Sequence, residues 1–125
     1  MATGENKKLV VIVDDDESMR NALRGLMKEV GLPAQAFASA EEFLAIGLAR
    51  QAGCVIADIR MPGMSGLELQ ARLKAEHCNI PIIFITGHGD EKMRLQALRA
   101  GAVEFLSKPF DDEILLDSVR AAMSN

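Results

Sequence analysis

Short apolar runs recur along the chain, and the stretches between them have helical rather than strand periodicity. The runs are nearly all apolar and are bounded by polar or turn-forming residues, as expected for strands covered on both faces of a sheet. They comprise Lys8–Val13, Ala34–Ala38, Cys54–Ile59, Pro81–Ile85 and Val103–Leu106. The second run is the weakest of them, and the pattern as a whole predicts five strands.

The intervening segments carry the spacing and end signals of helices. Apolar residues at helical spacing mark the first segment, namely Met19, Leu23, Leu26, Met27 and Val30. Ser39 and Ser65 each stand three residues before a glutamate, a capping-box pattern that predicts the start of a helix. Two further helices are predicted over Glu91–Ala100 and Asp111–Met123.

This alternation of strands and helices determines the expected fold class. A β-α unit repeated five times predicts an α/β fold, a doubly wound parallel sheet with helices on both faces and right-handed crossovers. The 125 residues are enough for one domain with a substantial core. We therefore expect a flexible lead-in at residues 1–7 and a single domain over residues 8–125.

Polar residues stand at the ends of four of the predicted strands. They are Asp14, Asp15 and Asp16 after the first, Asp58 after Ala57, Thr86 after the fourth, and Lys108 just beyond the fifth. Parallel strands bring their C-terminal ends to one edge of the sheet, which is where open α/β sheets bind ligands. Acids, a hydroxyl and an ammonium meeting at one edge predict a site for a cation and a phosphoryl group.

The chemistry of such a site follows from its charges. Clustered carboxylates repel one another, and a hard divalent cation such as Mg²⁺ relieves that repulsion while keeping positions open for phosphate. A carboxylate beside the metal can act as a covalent nucleophile and form an aspartyl-phosphate. Lys108 would then pair with the phosphoryl oxygens, and Thr86 would donate a hydrogen bond to one of them. Each of these polar residues, taken alone, has an ordinary structural explanation. Asp16 or Ser18, for example, fits a helix N-cap.

Charge and composition narrow the function further. The net charge of −4 and the pI near 5.2 argue against direct nucleic-acid binding by this domain. No apolar stretch is long enough to span a bilayer, and residues 1–8 lack the apolar core of a signal peptide, so we expect no membrane association and a cytoplasmic location. Cys54 and Cys78 have neither metal nor redox spacing, and Cys54 fits a small buried hydrophobe.

Four short motifs carry a resemblance to a known family. They are Val13–Asp15, Asp58–Gly66, Ile85–Gly87 and Lys108–Phe110. With these motifs the chain resembles a response-regulator receiver domain of bacterial two-component systems over Lys8–Met123, nearly its whole length. The resemblance implies a flavodoxin-like sheet with strand order 2-1-3-4-5.

Two further segments narrow the resemblance within that family. Thr86–Asp90, together with Ala-Gly-Ala at Ala100–Ala102, is most similar to receivers of the nitrogen-fixation-regulator type. Those receivers usually precede a helix-turn-helix DNA-binding domain. The resemblance therefore implies a sensor histidine kinase as partner and an output that is transcriptional, through a DNA-binding domain or another protein.

The resemblance also implies a role for each residue of the site. Asp58 accepts the phosphoryl group, in a phosphoacceptor signalling domain with self-catalysed phosphotransfer and autodephosphorylation rather than an enzyme. Mg²⁺, for which Mn²⁺ substitutes, is held by Asp15, Asp58 and the backbone carbonyl of Arg60, with Asp14 acting mainly through water. Thr86 and Lys108 contact the phosphoryl group.

The same resemblance implies regulatory roles for other positions. Arg60 and His88 occupy the variable positions that tune phosphoryl lifetime, and Phe105 takes the place of the switch aromatic. We hypothesise that Thr86 moves toward the phosphoryl group and that Phe105 then turns inward. This motion would reshape the surface of the fourth helix, the fifth strand and the last helix.

The fourth helix presents a candidate output face. Helical geometry places Met93, Ala97 and Ala100 toward the sheet, whereas Leu95 and Leu98 point away from that stripe. We expect these two leucines, with Arg99, to form the face of a phosphorylation-dependent homodimer.

Three competing functions remain open at this point. A haloacid-dehalogenase-like phosphatase would use Asp14 as nucleophile and Asp16 as acid/base, but it leaves Asp58 without a role, and no acidic motif follows Lys108. A flavodoxin-like or nucleotide-binding module is disfavoured because neither GxxxxGK(S/T) nor GxGxxG follows the first strand. A receiver-like scaffold that is never phosphorylated would have no need of the complete set of site residues.

Overall fold

Five strands alternate with five α-helices in the computed structural model, which describes residues 9–87 and 90–124. The strands are β1 (Leu9–Val13), β2 (Ala34–Phe37), β3 (Ala52–Ala57), β4 (Ile82–Thr86) and β5 (Glu104–Ser107). The helices are α1 (Glu17–Glu29), α2 (Ala40–Ile46), α3 (Gly66–Ala75), α4 (Glu91–Arg99) and α5 (Asp112–Met123). The predicted lead-in at residues 1–7 lies outside the described residues.

The strands form one parallel sheet in the order β2-β1-β3-β4-β5. This arrangement confirms the predicted α/β class, the doubly wound architecture and the order 2-1-3-4-5. No helix among the described residues has the length and apolar character needed to cross a membrane.

Strand ends differ from the prediction by one or two residues. β3 runs over Ala52–Ala57 instead of Cys54–Ile59, and β4 includes Thr86. In β3 the last residue with ladder partners is Ala57, opposite Val13 on one side and Phe84 on the other. Asp58 therefore stands just beyond the sheet, where the chain turns toward α3.

Helix caps form largely where the sequence places them. Asp16 accepts hydrogen bonds from the amides of Ser18 and Met19, which makes it the N-cap of α1. Ser65 and Glu68 form the complete reciprocal capping box of α3.

The cap of α2 differs from the expected box. Ser39 Oγ accepts a hydrogen bond from the Glu42 amide at 3.0 Å, as predicted. The Glu42 carboxylate, however, accepts from the amide of Ala38 at 2.9 Å, one residue before the N-cap. Only half of the predicted reciprocal pattern is therefore present at this helix.

Each face of the sheet packs against its own helices, because successive strand side chains point to opposite faces. Residues of α1 and α5 cover one face, and residues of α2, α3 and α4 cover the other. Cys54 is fully buried on the α1/α5 face, and burial raises the pKa of its thiol to about 12. This confirms its predicted role as a small core residue.

The packing of α4 corrects one prediction. Ala97 is buried and Met93 packs against the core, as expected, and Leu95 is exposed. Leu98, in contrast, is partly buried and packs against the same core instead of pointing away from it. A helix that covers a sheet buries a stripe more than 100° wide, so a residue flanking the central stripe is also covered.

Candidate functional site

Three carboxylates meet at the C-terminal edge of the sheet. Asp14 follows β1 and Asp58 follows the neighbouring β3, and the Asp58 amide donates to the carbonyl of Val13 at 3.0 Å. Carboxylate oxygens of Asp14, Asp15 and Asp58 all lie within 4.8 Å of one another. Asp14 is 2% exposed and Asp58 8% exposed, whereas Asp15 faces solvent. The three carboxylates thus lie together, as the sequence predicts.

Lys108, which directly follows the edge strand β5, extends its side chain to the cluster. Its Nζ lies 3.2 Å from Asp14 Oδ2 and 3.1 Å from Asp58 Oδ2. Partial burial disfavours the charge of this ammonium, but the hydrogen bond to Asp58 and the charge of Asp14 outweigh that effect. The pKa of Lys108 is therefore raised, and the side chain is a cation at neutral pH.

Asp14 is oriented by contacts on both sides of its own peptide. Its Oδ1 accepts from the Asp16 amide at 2.9 Å, and its carbonyl accepts from Arg20 Nη1 at 2.8 Å. Burial raises the pKa of Asp14, and the negative charge of Asp58 raises it further, against the opposing effects of the Asp16 amide and Lys108. No motif or spacing in the sequence predicts the contact from Arg20.

Thr86 is the last residue of β4 and is buried. It pairs with Ser107 of β5, and its carbonyl accepts a hydrogen bond from the Lys108 amide at 2.9 Å. Phe105, in the middle of β5, is partly buried and packs against the core on the α2/α3/α4 face. The backbone thus brings Thr86 and Lys108 together, as predicted.

Of the two positions predicted to tune phosphoryl lifetime, the structure describes only one. Arg60 is exposed, and its amide lies 3.3 Å from Asp58 Oδ1. His88 lies outside the described residues.

Gly66, the first residue of α3, packs directly against the backbone that carries Asp58. Its amide donates to the carbonyl of Ile59 at 2.9 Å. A Cβ at this position would overlap the carbonyl oxygen of Asp58 and crowd Ile59 Cα and the ring of Phe84. Glycine is thus required here by the close approach of the helix to the strand end, a role the sequence analysis did not assign.

The donor set of this site fits a hard divalent cation. All three clustered side chains offer carboxylate oxygens, two of them nearly buried, and oxygen is the ligand that Mg²⁺ prefers. Asp16, which a phosphatase of the haloacid-dehalogenase type would use as acid/base, is engaged in capping α1. The geometry therefore gives no support to the phosphatase alternative.

Comparison with known proteins agrees with this geometry. A sequence profile described as the response regulator receiver domain matches residues 10–120. Nodulation protein W of Bradyrhizobium diazoefficiens is 50% identical over 116 residues, which are 93% of this chain and 51% of that protein. Response regulator protein TodT of Pseudomonas putida is 45% identical over 119 residues, 95% of this chain and 52% of that protein. The chain thus spans about half the length of these curated relatives.

A solved structure shows the same arrangement of elements. The crystal structure of FixJ-N is 39% identical in sequence, covers 100% of this chain and 97% of its own, and superposes with a TM-score of 0.85. The match extends over the whole sheet and includes the strand ends at which the acidic cluster lies. The chain belongs to the response regulator receiver domain family, the signalling domains of two-component systems.

Proposed function

We propose that this domain accepts a phosphoryl group on Asp58 from the phosphohistidine of a sensor histidine kinase. The observation that carries this proposal is the contact between Lys108 Nζ and Asp58 Oδ2 at 3.1 Å inside a cluster of three carboxylates. An ammonium in this position can pair with the oxygens of an incoming phosphoryl group while Asp58 attacks.

The proposed transfer exchanges one bond to phosphorus for another. A carboxylate oxygen of Asp58 forms an O–P bond as the P–N bond of the donor breaks, and the bonding electrons pass to the imidazole nitrogen. Lys108 and the hydroxyl of Thr86 stabilise the negative charge on the transferred oxygens. The Arg60 amide, 3.3 Å from Asp58 Oδ1, holds the carboxylate in place during the attack.

We further propose that Mg²⁺ is the resident cation of the site. Asp15, Asp58 and the backbone carbonyl of Arg60 would hold it, with Asp14 acting through water. When bound, it offsets the charge of the phosphoryl oxygens and of the carboxylates, with Mn²⁺ able to substitute.

Incubation with acetyl phosphate and Mg²⁺ tests the phosphoacceptor directly. Intact-mass analysis is expected to show one phosphoryl group that is stable to acid and labile to base, and no adduct on Asp58→Asn, because that variant lacks the attacking oxygen. Asp117→Asn, which neutralises an exposed acid on α5, serves as the matched control and should be labelled like the original protein. An adduct mapped to Asp14, or one that survives in Asp58→Asn, would contradict the proposal.

Thermal unfolding in a Mg²⁺ series tests the cation site. At a Mg²⁺ concentration ten times the dissociation constant, the free energy of unfolding should rise by about 1.4 kcal/mol. In Asp15→Asn the metal-dependent rise should largely disappear, while the metal-free protein should be at least as stable, because one of three mutually repelling charges is gone. A full Mg²⁺ response in that variant would show that Asp15 is not a ligand.

The output of the domain is proposed to run through its α4-β5-α5 surface. Phosphorylation adds about −1.5 to −2 charge at Asp58, toward which Thr86 would move while Phe105 turns inward. Leu95 and Arg99 are exposed on α4 and remain a candidate homodimer face, to which the partly buried Leu98 contributes less.

The relatives point to the type of output. Their names include the transcriptional regulatory protein FixJ of Azorhizobium caulinodans, and this chain matches about half their length. We therefore propose a cytoplasmic regulator in which this domain controls transcription through a linked or partner DNA-binding domain. The residues at positions 60 and 88 are proposed to tune the lifetime of the phosphoryl group.

A further inference from the structure

A carboxylate on α2 contacts the loop that follows Asp58. The loop comprises residues 58–65, between β3 and α3. Glu41, in the first turn of α2, lies 23 positions away from Met64 in the sequence, yet its Oε2 accepts a hydrogen bond from the Met64 amide at 2.8 Å. This contact joins two segments that the sheet alone does not hold together.

The same carboxylate also lies against Gly63. This glycine has φ +76°, and a Cβ built on it would stand 2.5 Å from Glu41 Oε2. The Glu41 carboxylate therefore occupies the space that any side chain at position 63 would need. The hydrogen bond from Met64 lowers the pKa of Glu41, which is consistent with an ionised acceptor at neutral pH.

A general role of acids in a first helical turn does not explain this geometry. Such acids interact favourably with the helix dipole wherever their carboxylates point. Glu42, the next residue, is an acid of this kind that bonds locally, to the amide of Ala38. Glu41 instead points across to the loop, so its contact has consequences outside α2.

Both ends of the loop that Glu41 contacts lie close to Asp58. At its start, the Arg60 amide lies 3.3 Å from Asp58 Oδ1, and the Arg60 carbonyl is the proposed backbone ligand of Mg²⁺. At its end, Ser65 caps α3 and Gly66 packs against Asp58. The Arg60 peptide, which contacts Asp58 directly, thus lies in the same loop, three residues before Gly63.

We propose that Glu41 is a positioning residue of the phosphoacceptor site, which acts by holding Gly63 and Met64 so that the Arg60 peptide stays aligned with Asp58. This inference rests on the function proposed above. It assigns part of the affinity of the site for Mg²⁺, and part of its rate of phosphorylation, to a residue on a neighbouring helix that does not touch the reacting atoms.

Three substitutions at Glu41 distinguish an effect of its hydrogen bond to the loop from an effect of its negative charge. Glu41→Gln removes the charge but keeps a carbonyl oxygen at the same reach, Glu41→Asp keeps the charge but is one methylene too short, and Glu41→Ala removes both. Glu42→Ala is the matched control, because it removes an acid and a backbone hydrogen bond from the same helical turn without touching the loop.

Two measurements do not depend on phosphotransfer. Exchange of the Met64 amide with solvent, followed by nuclear magnetic resonance, should accelerate in Glu41→Ala and Glu41→Asp and return to the original rate in Glu41→Gln. Calorimetric titration with Mg²⁺ should show affinity about fivefold weaker in Glu41→Ala and Glu41→Asp, a size expected for the loss of one hydrogen bond. Glu41→Gln and Glu42→Ala should bind Mg²⁺ like the original protein. The rate of labelling by acetyl phosphate should follow the same order.

The outcomes distinguish this inference from the proposed function. If the original protein binds Mg²⁺ and is labelled on Asp58, but Glu41→Ala does so equally well, Glu41 has no positioning role. An equal loss in Glu42→Ala, or a loss in Glu41→Gln as large as in Glu41→Ala, would assign the effect to charge or to helix stability and would also overturn it. If the original protein is not labelled on Asp58 at all, the proposed function fails, and the inference fails with it.

Discussion

Replacement of Gly66 by alanine is expected to lower the free energy of unfolding by about 3 kcal/mol, at the upper end of the usual effect of overpacking. The added methyl group would overlap the carbonyl oxygen of Asp58 and press on Ile59 Cα and the Phe84 ring. Two of these neighbours are backbone atoms at the end of β3, so α3 has to move away from the sheet. Asp58, the proposed phosphoacceptor, would be displaced by the same movement.

Chemical denaturation followed by far-ultraviolet circular dichroism measures this effect. Gly25→Ala provides a matched control, because Gly25 lies within α1 and a Cβ there would meet nothing within 4 Å. That substitution should stabilise the protein by about 0.5–1 kcal/mol, since alanine loses less conformational freedom in a helix. A Gly66→Ala protein as stable as the original would mean that α3 does not pack this closely against Asp58.

Lys108→Ala is expected to have the largest effect on labelling among the changes that leave Asp58 itself in place. Without the ammonium, two nearly buried carboxylates lose a cation that lies within 3.2 Å of both. Breaking a buried ion pair lowers stability by about 3–5 kcal/mol, but the Lys108 side chain is 20% exposed, so we expect a loss of about 2 kcal/mol without metal. The loss of charge stabilisation should also slow labelling of Asp58 at least about 100-fold.

Mg²⁺ is expected to affect the stability and the labelling rate of Lys108→Ala differently. Because a divalent cation also neutralises the carboxylates, Mg²⁺ should restore much of the stability of Lys108→Ala but not its rate of labelling. Lys28→Ala, at an exposed position in the last turn of α1, controls for the loss of a positive charge and should change stability by less than about 0.5 kcal/mol. Labelling of Lys108→Ala at the original rate would exclude the proposed role of the ammonium.

The sequence was sufficient to predict the parts of the molecule that depend on local signals. Hydrophobic runs and capping residues predicted the order of elements, and the geometry of parallel strands then placed Asp14, Asp58 and Thr86 at one edge. These predictions succeeded because strand direction alone determines which end of each run faces the site. The strand order itself came from family resemblance, since periodicity does not specify which strands are neighbours.

Contacts between elements distant in the sequence were not predictable in the same way. Arg20 and Glu41 reach backbone groups of loops, and no spacing rule distinguishes them from other charged residues on helix surfaces. Gly66 stood inside a recognised motif, but its close approach to Asp58 depends on the position of α3. The helical projection predicts the position of Leu98 wrongly because it does not show how far the covered stripe extends.

The raised pKa of Asp14 has a consequence for protein engineering. A carboxyl group whose pKa is higher in the folded than in the unfolded chain stabilises the fold while it is protonated, and that contribution is lost as the pH rises through the folded pKa. Without metal, the burial that raises the pKa of Asp14 therefore lowers stability whenever the group is ionised, and a neutral isostere is expected to be tolerated or preferred. A variant library selected for heat resistance in the presence of a chelator would accumulate changes at this position. Heat resistance without metal and the proposed binding of Mg²⁺ thus favour different residues at position 14, so stability should be screened with Mg²⁺ present.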